Sequence, residues 1–150
     1  MDERERLIWQ LDKAREAMRS ALSGLDSQTA VNPGWKVQEL VAHLAGWEAV
    51  TRDALRGHTA GMPLGTPAKG GLDAYNARSV EARRGLSYER TLADWEQTHD
   101  GLRQAVVEMP AEKLAEKLVL PWGRKGTVAG IVAIMAEHEE EHARELQALG

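Results

Sequence analysis

Leu7, Leu11, Met18, Leu22 and Leu25 recur at helical steps with charged residues between them, and Asp2, Glu3 and Glu5 place negative charge where a helix begins. The pattern predicts a first helix over residues 3–23. Asn32-Pro33-Gly34 is a turn signal, after which Val37, Leu40, Val41, Leu44, Trp47 and Val50 form the stripe of a second helix over 36–56. Residues 56–71 hold five glycines and two prolines, which predicts a long connection with His58 as a loop residue. A third helix is broken: 72–84 has helical character, Gly85-Leu86-Ser87 interrupts it, and Leu92, Trp95, His99, Leu102, Val106 and Met109 resume the stripe up to Pro110. Leu118-Val119-Leu120-Pro121-Trp122-Gly123 reads as an extended apolar piece ending in a turn and lying across the bundle. Thr127 can cap a last helix whose face is Ile131, Ile134, Met135, His138, His142, Leu146 and Leu149. No internal repeat and no strand-rich region is visible, so the class is all-α and residues 1–150 form one domain.

Four histidines fall on these stripes: His43, His99, His138 and His142. His138 and His142, in Glu137-His138-Glu139-Glu140-Glu141-His142, are four residues apart, a spacing that turns two side chains by only ~40° and stacks them ~6 Å apart. Both can reach one ion, whereas burying two imidazoles as mere core residues requires two sets of polar partners. His43 alone reads more readily as a hydrogen-bonded core histidine than as a ligand.

Whether His43 joins the pair depends on helix order. It lies roughly 10 Å into the second helix, and His142 and His138 lie roughly 10 to 16 Å from the end of the last, so the levels match only if the two helices are antiparallel. A simple up-down-up-down bundle makes them parallel. The 16-residue connection can span up to ~50 Å, against ~30 Å for a 20-residue helix, so a crossover to up-down-down-up order is equally permitted. His99 sits about 18 Å down its helix, at a different level, and is read as structural.

Composition narrows the chemistry. The 150 residues, 43% hydrophobic, suit one soluble domain, and the charged start Met1-Asp2-Glu3-Arg4-Glu5-Arg6 has neither a signal-peptide nor a membrane-span pattern, so a cytoplasmic protein is expected. A net charge of -4, with basic doublets only at Arg83-Arg84 and Arg124-Lys125, argues against nucleic acid and membrane partners. The chain has no cysteine, so any thiol chemistry must borrow its sulfur. Imidazole ligands suit zinc or nickel in first place and iron or copper after them. Neutral rings are required, so metal affinity is expected to fall as pH drops through the histidine range around 6.5. Glu137, Glu139, Glu140 and Glu141 read as a solvated face or as partners of the ligating histidines. Trp35, Trp47, Trp95 and Trp122 read as core or as the lining of a ligand pocket.

The stretch Gly34-Trp35-Lys36-Val37-Gln38-Glu39-Leu40-Val41-Ala42-His43-Leu44-Ala45-Gly46-Trp47-Glu48 resembles the Trp-to-His segment of the DinB/YfiT-like superfamily. Pro121-Trp122-Gly123 with Gly126-Thr127-Val128 leading to His138 and His142 is similar to its C-terminal motif. The middle segment, Asn76 through Arg84 with Ser87, Leu92, Trp95 and His99, resembles the ClbS/DfsB-like branch, whose members protect against genotoxic products. The resemblance implies an up-down-down-up four-helix bundle, a homodimer and a three-histidine divalent metal site on His43, His138 and His142. Relatives include thiol-dependent transferases and isomerases using bacillithiol or mycothiol. Two functions remain open at this point. One is a metal-dependent enzyme, a thiol S-transferase or hydrolase that brings a small thiol or water to an electrophile in detoxification. The other is a non-catalytic protein that sequesters a small molecule or responds to metal.

Overall fold

The structure is a computed structural model describing residues 1–32, 34–62 and 65–149. Among these are six helices: α1 (Glu3–Leu22), α2 (Val37–Ala60), α3 (Leu72–Ala82), α4 (Tyr88–Glu108), α5 (Ala111–Ala115) and α6 (Val128–Gln147). Their starts are set by local chemistry. The Asp2 carboxylate accepts from the Glu5 N–H at 2.8 Å while Glu5 accepts from the Asp2 N–H at 3.4 Å, a reciprocal cap. Ser87 accepts from the Arg90 N–H at 3.2 Å and Thr127 from the Gly130 N–H at 2.9 Å, as capping residues do.

The second helix is a turn longer than its pattern predicts. It runs through Gly57 to Ala60 and ends at Gly61, whose φ of 69° is the left-handed conformation that closes helices. His58 is therefore helical, not a loop residue: it is buried, and its Nε2–H donates to the Lys113 carbonyl at 2.8 Å. An interior glycine costs about 1 kcal/mol relative to alanine, whereas burying a side chain such as Leu55 gains roughly 1.5–3 kcal/mol. Packing of this face outweighs the propensity of Gly57. Pro63 and Leu64, which belong to the same connection, lie outside the described residues, as does Pro33 of the Asn32-Pro33-Gly34 turn.

Two short antiparallel hairpins complete the frame: β1 (Ala30–Asn32) with β2 (Trp35–Lys36), and β3 (Leu118–Val119) with β4 (Lys125–Gly126). The first delivers Trp35 to the start of α2. The second turns at Gly123, with φ of 101°, and brings Trp122 to 6.1 Å from the Trp47 ring.

The core shows the helix order. One apolar cluster joins Leu7 and Leu11 of α1 to the later half of α2 (Val50, Leu55), the later half of α4 (Leu102, Val106) and the start of α6 (Ile131, Val132). The other joins the end of α1 (Met18, Leu22) to the start of α2 (Leu40, Val41), Trp95 of α4 and the end of α6 (Ala143, Leu146). Thus α1 and α6 run one way and α2 and α4 the other, an up-down-down-up bundle. The return from α2 to α4 is shared between the connection and α3. Tyr75 Oη donates to the Gly46 carbonyl at 2.9 Å, and Gln38 Nε2 donates to the Leu86 carbonyl at 2.9 Å, so α3 runs backwards along α2. Gly46 permits this seat, since a Cβ there would come within 2.5 Å of Ser79.

Between the two apolar clusters lies a polar layer, one contribution from the middle of each long helix: Arg15, Glu48, Thr98 with His99, and Glu139, all buried. Arg15 has no exposed surface. Its Nε donates to Glu139 at 2.8 Å, its other nitrogens reach Glu48, Glu96 at 2.9 Å and the Trp95 carbonyl at 3.0 Å, and its guanidinium lies 3.8 Å over the Trp95 ring. Burial alone would lower the Arg15 pKa, but the Glu48 and Glu139 carboxylates outweigh it and raise it, so the side chain stays charged. Among the described residues no helix is long and apolar enough to cross a membrane.

Candidate metal centre

Antiparallel packing brings His43, early in α2, level with His138 and His142, late in α6. The three Nε2 atoms converge: His138 lies 3.1 Å from His43 and 3.0 Å from His142, and the set fits within 4.8 Å. His43 is buried and the other two are half-buried. Hydrogen bonding cannot satisfy this arrangement, because both contacts end on one atom, His138 Nε2, which offers a single proton or a single lone pair. A cation takes all three lone pairs. Two imidazoles bound to zinc at about 2.0–2.1 Å across a tetrahedral angle have nitrogens about 3.3 Å apart, close to the 3.1 and 3.0 Å that His138 makes, while the set as a whole extends to 4.8 Å. The donor set therefore fits a divalent transition ion.

The surroundings hold the rings in place. Trp35 packs at 4.8 Å from the His43 ring, and the Glu145 carboxylate lies 3.1 Å from His142 Nδ1, the kind of outer contact that fixes which nitrogen faces a metal. Glu145 escaped the sequence reading, although its three-residue step from His142 on a helix is the signal that would have found it. His43 Nδ1 is buried without a hydrogen-bond partner.

A cleft of about 860 Å³ opens over the histidines. Trp35, Trp47 and Trp122 line it, with Asn76, whose Oδ1 accepts from Trp47 Nε1 at 2.7 Å. Trp95 is instead a core residue under Arg15, so the four tryptophans divide between the two roles. The acidic run divides likewise. Glu137 and Glu141 border the cleft, but Glu139 is only 5% exposed and belongs to the polar layer, which corrects its reading as part of a solvated face. Burial first, and the Glu48 carboxylate next, push Glu139 above the usual carboxylate range. Ile134, placed on the core stripe by its spacing, is 43% exposed at the cleft.

His99 stays out of the cluster. Its Nε2–H donates to Asp12 at 2.9 Å, and its Nδ1 lies 3.6 Å from Glu48. We expect His99→Gln to cost about 1–3 kcal/mol in a urea titration, the range for a disturbed buried hydrogen bond, with metal stoichiometry unchanged. Metal loss at an unchanged melting temperature would place His99 in the site after all.

Burial, followed by repulsion from the neighbouring rings, lowers His43 to about 3; burial and His142 lower His138 to about 4. Both rings thus stay neutral well below the pH of about 6.5 at which exposed histidine titrates. As pH falls from 6.5 towards 4 the unfolded chain takes up protons at these positions and the folded chain does not, so stability is lost with falling pH. With chelator present, the expected loss is about 1 kcal/mol per pH unit for each ring over that window. A flat profile between pH 6 and pH 4 would show that the rings are not buried neutral. The same shifts move proton competition for a metal at these two rings below the range expected from ordinary histidines.

The chain matches the family described as "Mycothiol maleylpyruvate isomerase N-terminal domain" over residues 5–145. No curated protein matches it. Two solved structures superpose with a TM-score of 0.81: the mycothiol-dependent maleylpyruvate isomerase, at 17% identity, and a histidine-to-alanine mutant of that enzyme, at 15%. Each alignment covers 97% of this chain but only 61% of the other, so the chain spans less than two thirds of those proteins. These likenesses show the shared fold. The match over nearly its whole length establishes that the chain belongs to the mycothiol maleylpyruvate isomerase N-terminal domain family, within the DinB/YfiT-like superfamily.

Proposed function

We propose that the chain binds one divalent transition metal through Nε2 of His43, His138 and His142 and brings a small thiol of the mycothiol class to an electrophilic substrate in the cleft above. The convergence of three imidazole nitrogens on one point carries this reading. When bound there, a divalent ion supplies Lewis acidity that makes a small thiol a stronger acid and so a nucleophile near neutral pH. Three protein ligands would leave a bound ion with coordination positions for a thiol. The protein lacks a cysteine of its own, which agrees with a sulfur supplied by a cosubstrate.

The chain's residues prepare the site. Burial keeps His43 and His138 neutral, with lone pairs available. Glu145 orients His142. The Trp35, Trp47 and Trp122 rings give an apolar wall against which a substrate can be held, and the Trp47 N–H fixes the Asn76 amide at its edge. Thiol addition to the substrate yields a conjugate, the outcome of a transferase; if the thiol later departs from a rearranged product, the outcome is an isomerisation.

The test is metal analysis of protein purified without a histidine tag, followed by assays with mycothiol and a panel of electrophiles, maleylpyruvate among them. Turnover should vanish on chelation and return with added zinc or nickel. Metal binding with tight ligand capture but no thiol- or water-dependent turnover would favour sequestration; absence of stoichiometric metal would refute the site. Sedimentation of the same sample checks the homodimer that the family resemblance implies.

A further inference from the structure

The two helices that carry all three histidines pack on each other only slightly. α1 lies mainly against α6, and α2 against α4. Something other than direct packing must therefore set the spacing of His43 from His138 and His142. The side chain that spans the gap is Arg15 of α1. It contacts Glu48, five residues beyond His43 on α2, and donates to Glu139 at 2.8 Å, the residue next to His138 on α6.

We propose that Arg15 is a positioning residue for the three-histidine site, tying the two ligand-bearing helices together through Glu48 and Glu139. The inference rests on the metal-binding reading above. Its contacts have the character of a spacer. The guanidinium is planar, with donors in a fixed fork, and a third contact, to the Trp95 carbonyl at 3.0 Å, stops it from sliding between the helices. Glu139 also accepts from Trp95 Nε1 at 3.2 Å, and Glu48 from Thr98 Oγ1 at 3.1 Å, so both carboxylates are anchored to α4 as well. Stability alone does not account for the arrangement, because a buried ion cluster can usually be exchanged for neutral groups of similar volume without loss. A fixed distance between α2 and α6 is what such an exchange would sacrifice.

The test compares wild type with the triple variant Arg15→Met, Glu48→Gln, Glu139→Gln, which removes the charges together and keeps acceptors for Trp95 and Thr98. Zinc affinity is measured by chelator competition and melting temperature in excess chelator. The expected result is a melting temperature near that of wild type, with the zinc Kd raised about tenfold or more, the scale of outer-contact losses at metal sites. An unchanged Kd in a folded variant would overturn the inference while leaving the metal site standing. Failure of wild type to bind zinc would instead overturn the metal reading. Should the triple variant not fold, Arg15→Lys, which keeps the charge and loses the fork, serves in its place. Its cobalt-loaded absorption spectrum and zinc Kd should both differ from wild type, and identity in both would reject the positioning role. Arg83→Met with Asp94→Asn, which breaks the 2.6 Å pair between the end of α3 and α4, is the control and should leave the zinc Kd unchanged.

Discussion

His138→Ala is expected to abolish stoichiometric metal binding. His138 is the imidazole that both others approach, at 3.1 and 3.0 Å, so its removal deletes one ligand and leaves the other two without a common partner. The loss should exceed about 100-fold in affinity, beyond the 10–100-fold typical when only an outer contact is removed. The fold should survive, since His138 is half-buried at the edge of the cleft and the α6 core face is made by Ile131, Val132, Met135, Ala143 and Leu146. Metal content by mass spectrometry and helicity by circular dichroism give the two readouts. Full metal content in the variant at neutral pH would show that the ligand set is wrong.

Arg15→Ala has the largest expected effect on stability. It leaves the Glu48 and Glu139 carboxylates, each about 5% exposed, without their shared cation. Breaking a buried pair from one side costs about 3–5 kcal/mol, a large part of the ~5–15 kcal/mol that a domain possesses. The melting temperature should fall by roughly 10 °C or more. The neutral triple variant should lose far less, because no buried charge is stranded. Equal losses in the two would mean that the guanidinium's own contacts, missing from both variants, support the layer, and that stranded charge adds nothing.

The four long helices and the His138–His142 pair were legible in the sequence because each rests on local spacing, apolar steps of three and four, a cap residue, two histidines four apart, whereas His43 joined the pair only through the helix order and the resemblance. The up-down-down-up order was only permitted by chain length, and the resemblance to a superfamily favoured it. What escaped was non-local. Arg15 reads as one more charge on an amphipathic helix, since its partners Glu48, Glu96 and Glu139 are 33, 81 and 124 residues away. Glu139 was hidden among three neighbouring acids for the same reason. The hairpins have strands of only two or three residues, too short for an alternating pattern to emerge. The extra turn of α2 was masked by Gly57, where tertiary burial of Leu55 and His58 overrides a local preference.

The central claim is a metal held by three imidazoles, and zinc-edge X-ray absorption on the zinc-loaded chain tests it most directly. The account predicts three nitrogen neighbours at about 2.0–2.1 Å with imidazole backscattering, and a new sulfur neighbour at about 2.3 Å when mycothiol is added. A shell of oxygens alone, or a spectrum that His138→Ala leaves unchanged, would contradict it.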